Sequence, residues 1–73
     1  MEENSILARV PGEYVGLALN SLPPAETAED RIYEVEIDAG HAGRVRIYAR
    51  RYRYRHRKNS YWTWSAVRAE AVS

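Results

Sequence analysis

No cysteine occurs in the 73 residues. That excludes a disulfide framework, a thiolate metal site and a cysteine nucleophile, and it suits a reducing, cytoplasmic setting. No apolar run approaches the roughly 20 residues that a membrane span needs. The opening MEENS is acidic and leads quickly to Pro11, without the basic and apolar regions of a signal peptide, so a soluble, intracellular protein with no membrane partner is expected. No serine sits in a glycine-framed turn, and Glu34 and Glu36 lie two apart, as solvent-facing strand residues do. His41 and His56 have no second pair at ligand spacing. The chain therefore offers no catalytic residue, no metal site and no cofactor motif, and it reads as non-enzymatic. No internal repeat and no linker divide it, and residues 1–73 form a single small domain with a thin stability margin.

Acidic residues are scarce in one half. Residues 1–40 hold nine acids against Arg9 and Arg31, a net −7, whereas residues 41–73 hold nine cations against Glu70 alone, a net +8. Such a split points to an anionic partner, or to two halves that pair with each other.

The centre has the clearest pattern. In RIYEVEIDAGHAGRVRIYA, Tyr33, Val35 and Ile37 alternate with Glu34 and Glu36, and Val45 and Ile47 alternate with Arg44 and Arg46. Period two on both sides of a glycine-containing break reads as a hairpin. With Ala39 to Gly43 as the loop, Asp38 faces Arg44, Ile37 faces Val45, Glu36 faces Arg46 and Val35 faces Ile47. Each pair is then apolar with apolar or acid with base, and a slip of one residue would lose them all.

Beyond Ala49 the same alternation would carry Arg51, Arg53, Arg55 and Arg57 into the core, which a small core cannot hold. A β-bulge at Arg50-Arg51 would turn Tyr52, Tyr54 and His56 inward and the arginines outward. The alternative is a strand whose far end projects beyond the core, solvated on both sides. A turn at Lys58 to Ser60 follows. Three loop residues would set Trp62 and Trp64 against His56 and Tyr54 in an aromatic core face, which is the expected arrangement. A two-residue loop at Asn59-Ser60 would instead make a ladder of arginine and tryptophan. The tail AVRAEAV reads as strand. At the N-terminus, SILARV and EYVGLAL read as two strands about Pro11-Gly12, although Tyr14, Leu17, Ala18 and Ser21 also match a helical face. Residues 20–30 read as an exposed acidic loop.

The fold expected is all-β: one small antiparallel sheet of four to five strands with a long C-terminal basic hairpin. The alternative is α+β, one helix on a three-stranded antiparallel sheet. The candidate binding residues are Arg44, Tyr48, Arg50, Arg51, Arg53, Arg55, Arg57 and Lys58. Arginines on one strand face recur about every 6.7 Å and can take phosphates bidentately, with Tyr48 or a tryptophan as a stacking platform; Arg46 is expected to be spent on Glu36. The function expected is a nucleic-acid-binding module that contacts the DNA or RNA backbone. The alternative is a small interaction or inhibitor protein, of phage or plasmid type, docking on an acidic surface of a larger nucleic-acid-processing complex. A homodimer through exposed strand edges is a third arrangement.

Overall fold

The computed structural model describes residues 2–72, and side chains from residue 6 onward. Two short helices, α1 (Glu2–Arg9) and α2 (Gly12–Asn20), precede three strands, β1 (Tyr33–Asp38), β2 (Arg44–His56) and β3 (Asn59–Ala71). The strands form one antiparallel meander in the order β1-β2-β3. Among the described residues no helix is long and apolar enough to cross a membrane.

The first hairpin has the register that alternation predicts, with Asp38 opposite Arg44, Ile37 opposite Val45, Glu36 opposite Arg46 and Val35 opposite Ile47. Its loop closes through a single 3-10 turn at Gly40–Ala42, with the Ala39 N–H donating to the Gly43 carbonyl at 2.8 Å. Gly40 has φ of +62°, and a Cβ there would stand 3.2 Å from the Tyr14 hydroxyl, so both backbone conformation and packing call for glycine.

Three strands replace the four or five expected, and the two N-terminal segments read as strands are helices, as the α+β alternative requires apart from the number of helices. The reason lies in the sheet. Its Val35, Ile37, Val45, Ile47 and Ala69 face needs an apolar cover, and the N-terminal third supplies the remaining apolar side chains. Wound helically, Ile6, Leu7, Val10, Tyr14, Val15 and Ala18 converge on that face. Pro11 holds the N-cap position of α2 and Glu13 lies in its first turn, where a negative charge suits the helix dipole. Ser21 ends it by donating its hydroxyl to the Ala18 carbonyl at 2.7 Å. The core is small: Val45 and Ile47 are its largest fully buried side chains.

The expected bulge at Arg50-Arg51 is absent, because β2 alternates without interruption from Arg44 to His56. The irregularity falls on β3 instead: Ala49 pairs with Ala66 and Tyr48 with Arg68, leaving Val67 as the extra residue. That placement resolves a conflict within β3. Strict alternation from Trp62, Trp64 and Ala66 would send Arg68 and Glu70 under the helices. The extra residue puts Ala69 and Ala71 there and returns both charges to the outer face.

The turn also differs from expectation. Arg57 and Lys58 form a two-residue turn, and Asn59 and Ser60 are strand residues paired with His56 and Arg55. Arg57 has φ of +55°. Beyond Ala49 the hairpin runs past both β1 and the helices, so residues 52–61 are all exposed. This projection gives the molecule its long axis, 41 Å against 22 and 21 Å.

Candidate functional site

The sheet carries two cationic regions, and they differ in what surrounds each guanidinium. On the outer face of the base, Arg46 donates through Nη2 to Glu36 Oε2 at 3.0 Å and through Nη1 to Glu70 Oε1 at 2.8 Å. Its Nε lies 3.5 Å from Glu34 Oε1. Arg44 stands 3.6 Å from Glu36 and Arg68 stands 3.5 Å from Glu70. The Tyr48 hydroxyl donates to Glu70 Oε1 at 2.6 Å, and the Arg68 guanidinium covers the Tyr48 ring at 3.7 Å. Three arginines therefore meet three glutamates around one tyrosine. The Arg46 hydrogen bond holds the Glu36 carboxyl below its usual range, with the Arg46 and Arg44 charges adding to it and partial desolvation opposing. Glu70 is lowered too, first by the Tyr48 hydroxyl and then by Arg46, against partial desolvation.

This network absorbs two candidate binding residues. Arg44 is paired and lies about 30 Å along the strand from Arg53, at roughly 3.3 Å per residue. Tyr48 is hydrogen-bonded and covered on one ring face. Neither joins the other candidates.

The second region is the distal hairpin, residues 50–65. With no bulge in β2, Arg51 stands opposite Trp64, Arg53 opposite Trp62 and Arg55 opposite Ser60. The ladder of arginine and tryptophan is thus the observed arrangement, with the turn two residues earlier than in the two-residue-loop alternative and each tryptophan opposite an arginine four residues further back along β2. The expected aromatic core face is not formed. Arg51 stacks over Trp62 at 4.2 Å and Arg53 approaches the same ring at 5.9 Å. Such contacts contribute roughly 0.5–1 kcal/mol each at exposed sites. Arg53 also donates to the Ser60 hydroxyl at 3.1 Å.

The root of the hairpin is tied down by the loop between α2 and β1. Trp64 Nε1 donates to the Pro23 carbonyl at 2.9 Å, Arg51 Nη1 donates to the Ala25 carbonyl at 3.1 Å, and the Tyr33 and Trp64 rings meet edge to face at 4.9 Å. The loop docks through its backbone. Among the described residues its carboxylates pair with no arginine of the hairpin, and Glu29 pairs with Arg31 instead. Arg51 is half-buried, with its Nε buried and unpartnered, so it anchors the loop.

Arg50, Arg53, Arg55, Arg57 and Lys58 remain exposed, and among the described residues no carboxylate lies within ion-pair distance of any of them. On the face opposite the arginine ladder stand Tyr52, Tyr54 and His56 of β2 beside Thr63, Tyr61 and Asn59 of β3. The bulge expected at Arg50-Arg51 turns those β2 aromatics to the interior. Without it they continue the outer face of Arg46 and Tyr48, on the side of the sheet away from the helices. The chain matches no protein-family model, no curated protein and no solved structure.

Proposed function

We propose that the protein is a non-enzymatic, cytoplasmic nucleic-acid-binding module that holds the phosphate backbone with the distal hairpin through Arg50, Arg53, Arg55, Arg57 and Lys58. One observation carries this reading: Arg44, Arg46 and Arg68 on the outer face of the base are each matched to a glutamate, whereas among the described residues these five cations have no carboxylate partner. Like charges held together on a two-stranded ribbon repel one another in the free protein, and a polyanion removes that repulsion. Arginine adds a planar fork suited to phosphate. Each neutralised phosphate releases a counterion, so five contacts give log affinity against log salt a slope of about −3.5 on a single strand and about −4.5 on a duplex. Titration of a labelled oligonucleotide by fluorescence anisotropy at several salt concentrations measures it. A flat salt dependence, or no binding at low salt, overturns the reading.

A second reading draws on the same residues. Arginine, tyrosine and tryptophan are the side chains enriched at protein interaction hot spots, and the exposed arginines and tyrosines beside half-buried Trp62 and Trp64 fit an inhibitor-type protein docking on an acidic protein surface. In that case Arg53→Glu with Arg55→Glu abolishes capture of a protein partner while oligonucleotides bind weakly and compete with it. The like charges along the β2 edge of the hairpin oppose a homodimer built by pairing that edge with itself, whereas the β3 edge from Asn59 to Ala66 carries no charge, and sedimentation at several concentrations tests pairing through it.

A further inference from the structure

The tyrosine face of the distal hairpin has no internal explanation. Tyr54 and Tyr61 stand directly opposite each other with ring centroids 5.1 Å apart and planes tilted by 34°. His56 stacks beside Tyr54 at 6.4 Å and 24°. Tyr52, Tyr54 and Tyr61 keep 42%, 38% and 51% of their surface in solvent. The helices lie on the other side of the sheet, and among the described residues nothing covers these rings. The other aromatics of the region are engaged: Arg51 covers Trp62, Trp64 packs on Tyr33, and Arg68 covers Tyr48.

The geometry points to a stacking platform for the unpaired bases of a single-stranded nucleic acid, with Tyr54 and Tyr61 as its centre and Tyr52 and His56 flanking them along β2. The inference rests on the nucleic-acid reading above and assigns its substrate class. Three features favour a single strand over a duplex. Within a duplex each base already has both π-faces covered by its neighbours, so exposed tyrosine rings gain nothing from it, whereas a splayed strand offers one free face per base. Tyr52, Tyr54 and His56 recur about every 6.8 Å, close to twice the 3.4 Å rise of a stacked strand, so each ring can take the next base of a strand drawn out to roughly double its stacked length. Cations also border the platform. Arg50 lies on the tyrosine face, while Arg57 and Lys58 form the turn at its end. A strand stacked on the rings thus has guanidinium and ammonium groups within reach of its phosphates.

The test compares the affinity of the intact protein for a labelled oligothymidylate of about 12 nucleotides with that for a duplex of equal length at the same salt. Tyr54→Ala with Tyr61→Ala and Tyr54→Phe with Tyr61→Phe are measured alongside, and their circular dichroism confirms folding. The expected result is single-strand binding about 10-fold or more tighter than duplex binding. The alanine pair loses about 10-fold or more of it with an unchanged salt slope, and the phenylalanine pair retains it because the rings remain. Single-strand binding by the alanine pair equal to wild type, or a preference for duplex, overturns the platform and leaves backbone binding in place. Failure of the wild-type protein to bind either polymer overturns both.

Discussion

The base and the tip of this sheet are built from the same strands and nearly the same residue types, and they settle their charges in opposite ways. At the base, Arg44, Arg46 and Arg68 are interleaved with Glu34, Glu36 and Glu70 under the organising hydroxyl of Tyr48. At the tip, Arg50, Arg53, Arg55, Arg57 and Lys58 stand in solvent among tyrosines, with no acidic residue between Ala39 and Ala69 to meet them. Strand β1 makes the difference, since it brings two of the three glutamates and ends where Tyr33 meets Ala49. A third strand is therefore also a source of counter-charge, and the absence of that strand leaves a surface free to bind.

The contrast breaks most completely if Val67 is deleted. The pleat of β3 would shift by one residue, turning Arg68 and Glu70 toward the helices or Trp62 and Trp64 to the opposite face. Exposing the core to unpaired charge is a loss of about 3–5 kcal/mol, comparable to the whole stability of so small a domain. Loss of the cooperative thermal transition in circular dichroism is the expected result. Ile47→Ala strikes the base alone, because Ile47 is fully buried. It should lower the urea-unfolding free energy by about 2–4 kcal/mol while the molecules still folded bind nucleic acid as before.

The reverse separation comes from the tip. Arg53→Glu with Arg55→Glu should weaken oligonucleotide binding about 100-fold at low salt and reduce the salt slope by about 2, because two phosphate contacts are lost. Stability should move by less than about 0.5 kcal/mol, as is usual for exposed sites.

The hairpin β1-β2 was legible residue by residue because both of its strands carry complementary pairs at every position. The distal hairpin was harder. Alternation in β2 runs into arginines, and assuming that a core extends along the whole strand forces a bulge at Arg50-Arg51. The core instead stops at Ala49, and β2 needs no correction. The true bulge left a signal in β3, where small and apolar residues occupy the positions of Trp62, Trp64 and Ala66 and then switch parity to Ala69 and Ala71. Helix α2 was readable in the spacing of Tyr14 and Ala18, but the choice between strand and helix was made by the uncovered sheet face, a demand located elsewhere in the chain. The docking of the 20–30 loop carried no such signal, since Trp64 and Arg51 hold it by the carbonyls of Pro23 and Ala25, which every residue possesses.

Two smaller effects sharpen the comparison. Glu36 and Glu70 titrate below the ordinary carboxylate value of 4.5. Their contribution to stability is complete above that value and is lost as pH falls through their lowered folded-state values. Thermal midpoints measured from pH 6 down to pH 3 should decline on this acid limb, less steeply in Glu36→Gln with Glu70→Gln. The smallest effect belongs to the turn. Positive φ at Arg57 alone of the two turn residues matches the pattern in which glycine is preferred first. Arg57→Gly should raise stability by about 0.5–1 kcal/mol through relief of that conformation, while oligonucleotide affinity falls about 5-fold with the lost cation.

The long axis of 41 Å has a consequence for approach as well as for contact. Cations gather at one end of it, and no acidic side chain lies between Ala39 and Ala69. The molecule is therefore a permanent electric dipole directed along its own length. Near a polyanion, and within a screening distance of about 10 Å at 0.1 M salt, the field exerts a torque before any side chain touches. The protein should arrive with the Arg57-Lys58 turn leading, so orientation is largely accomplished during the encounter.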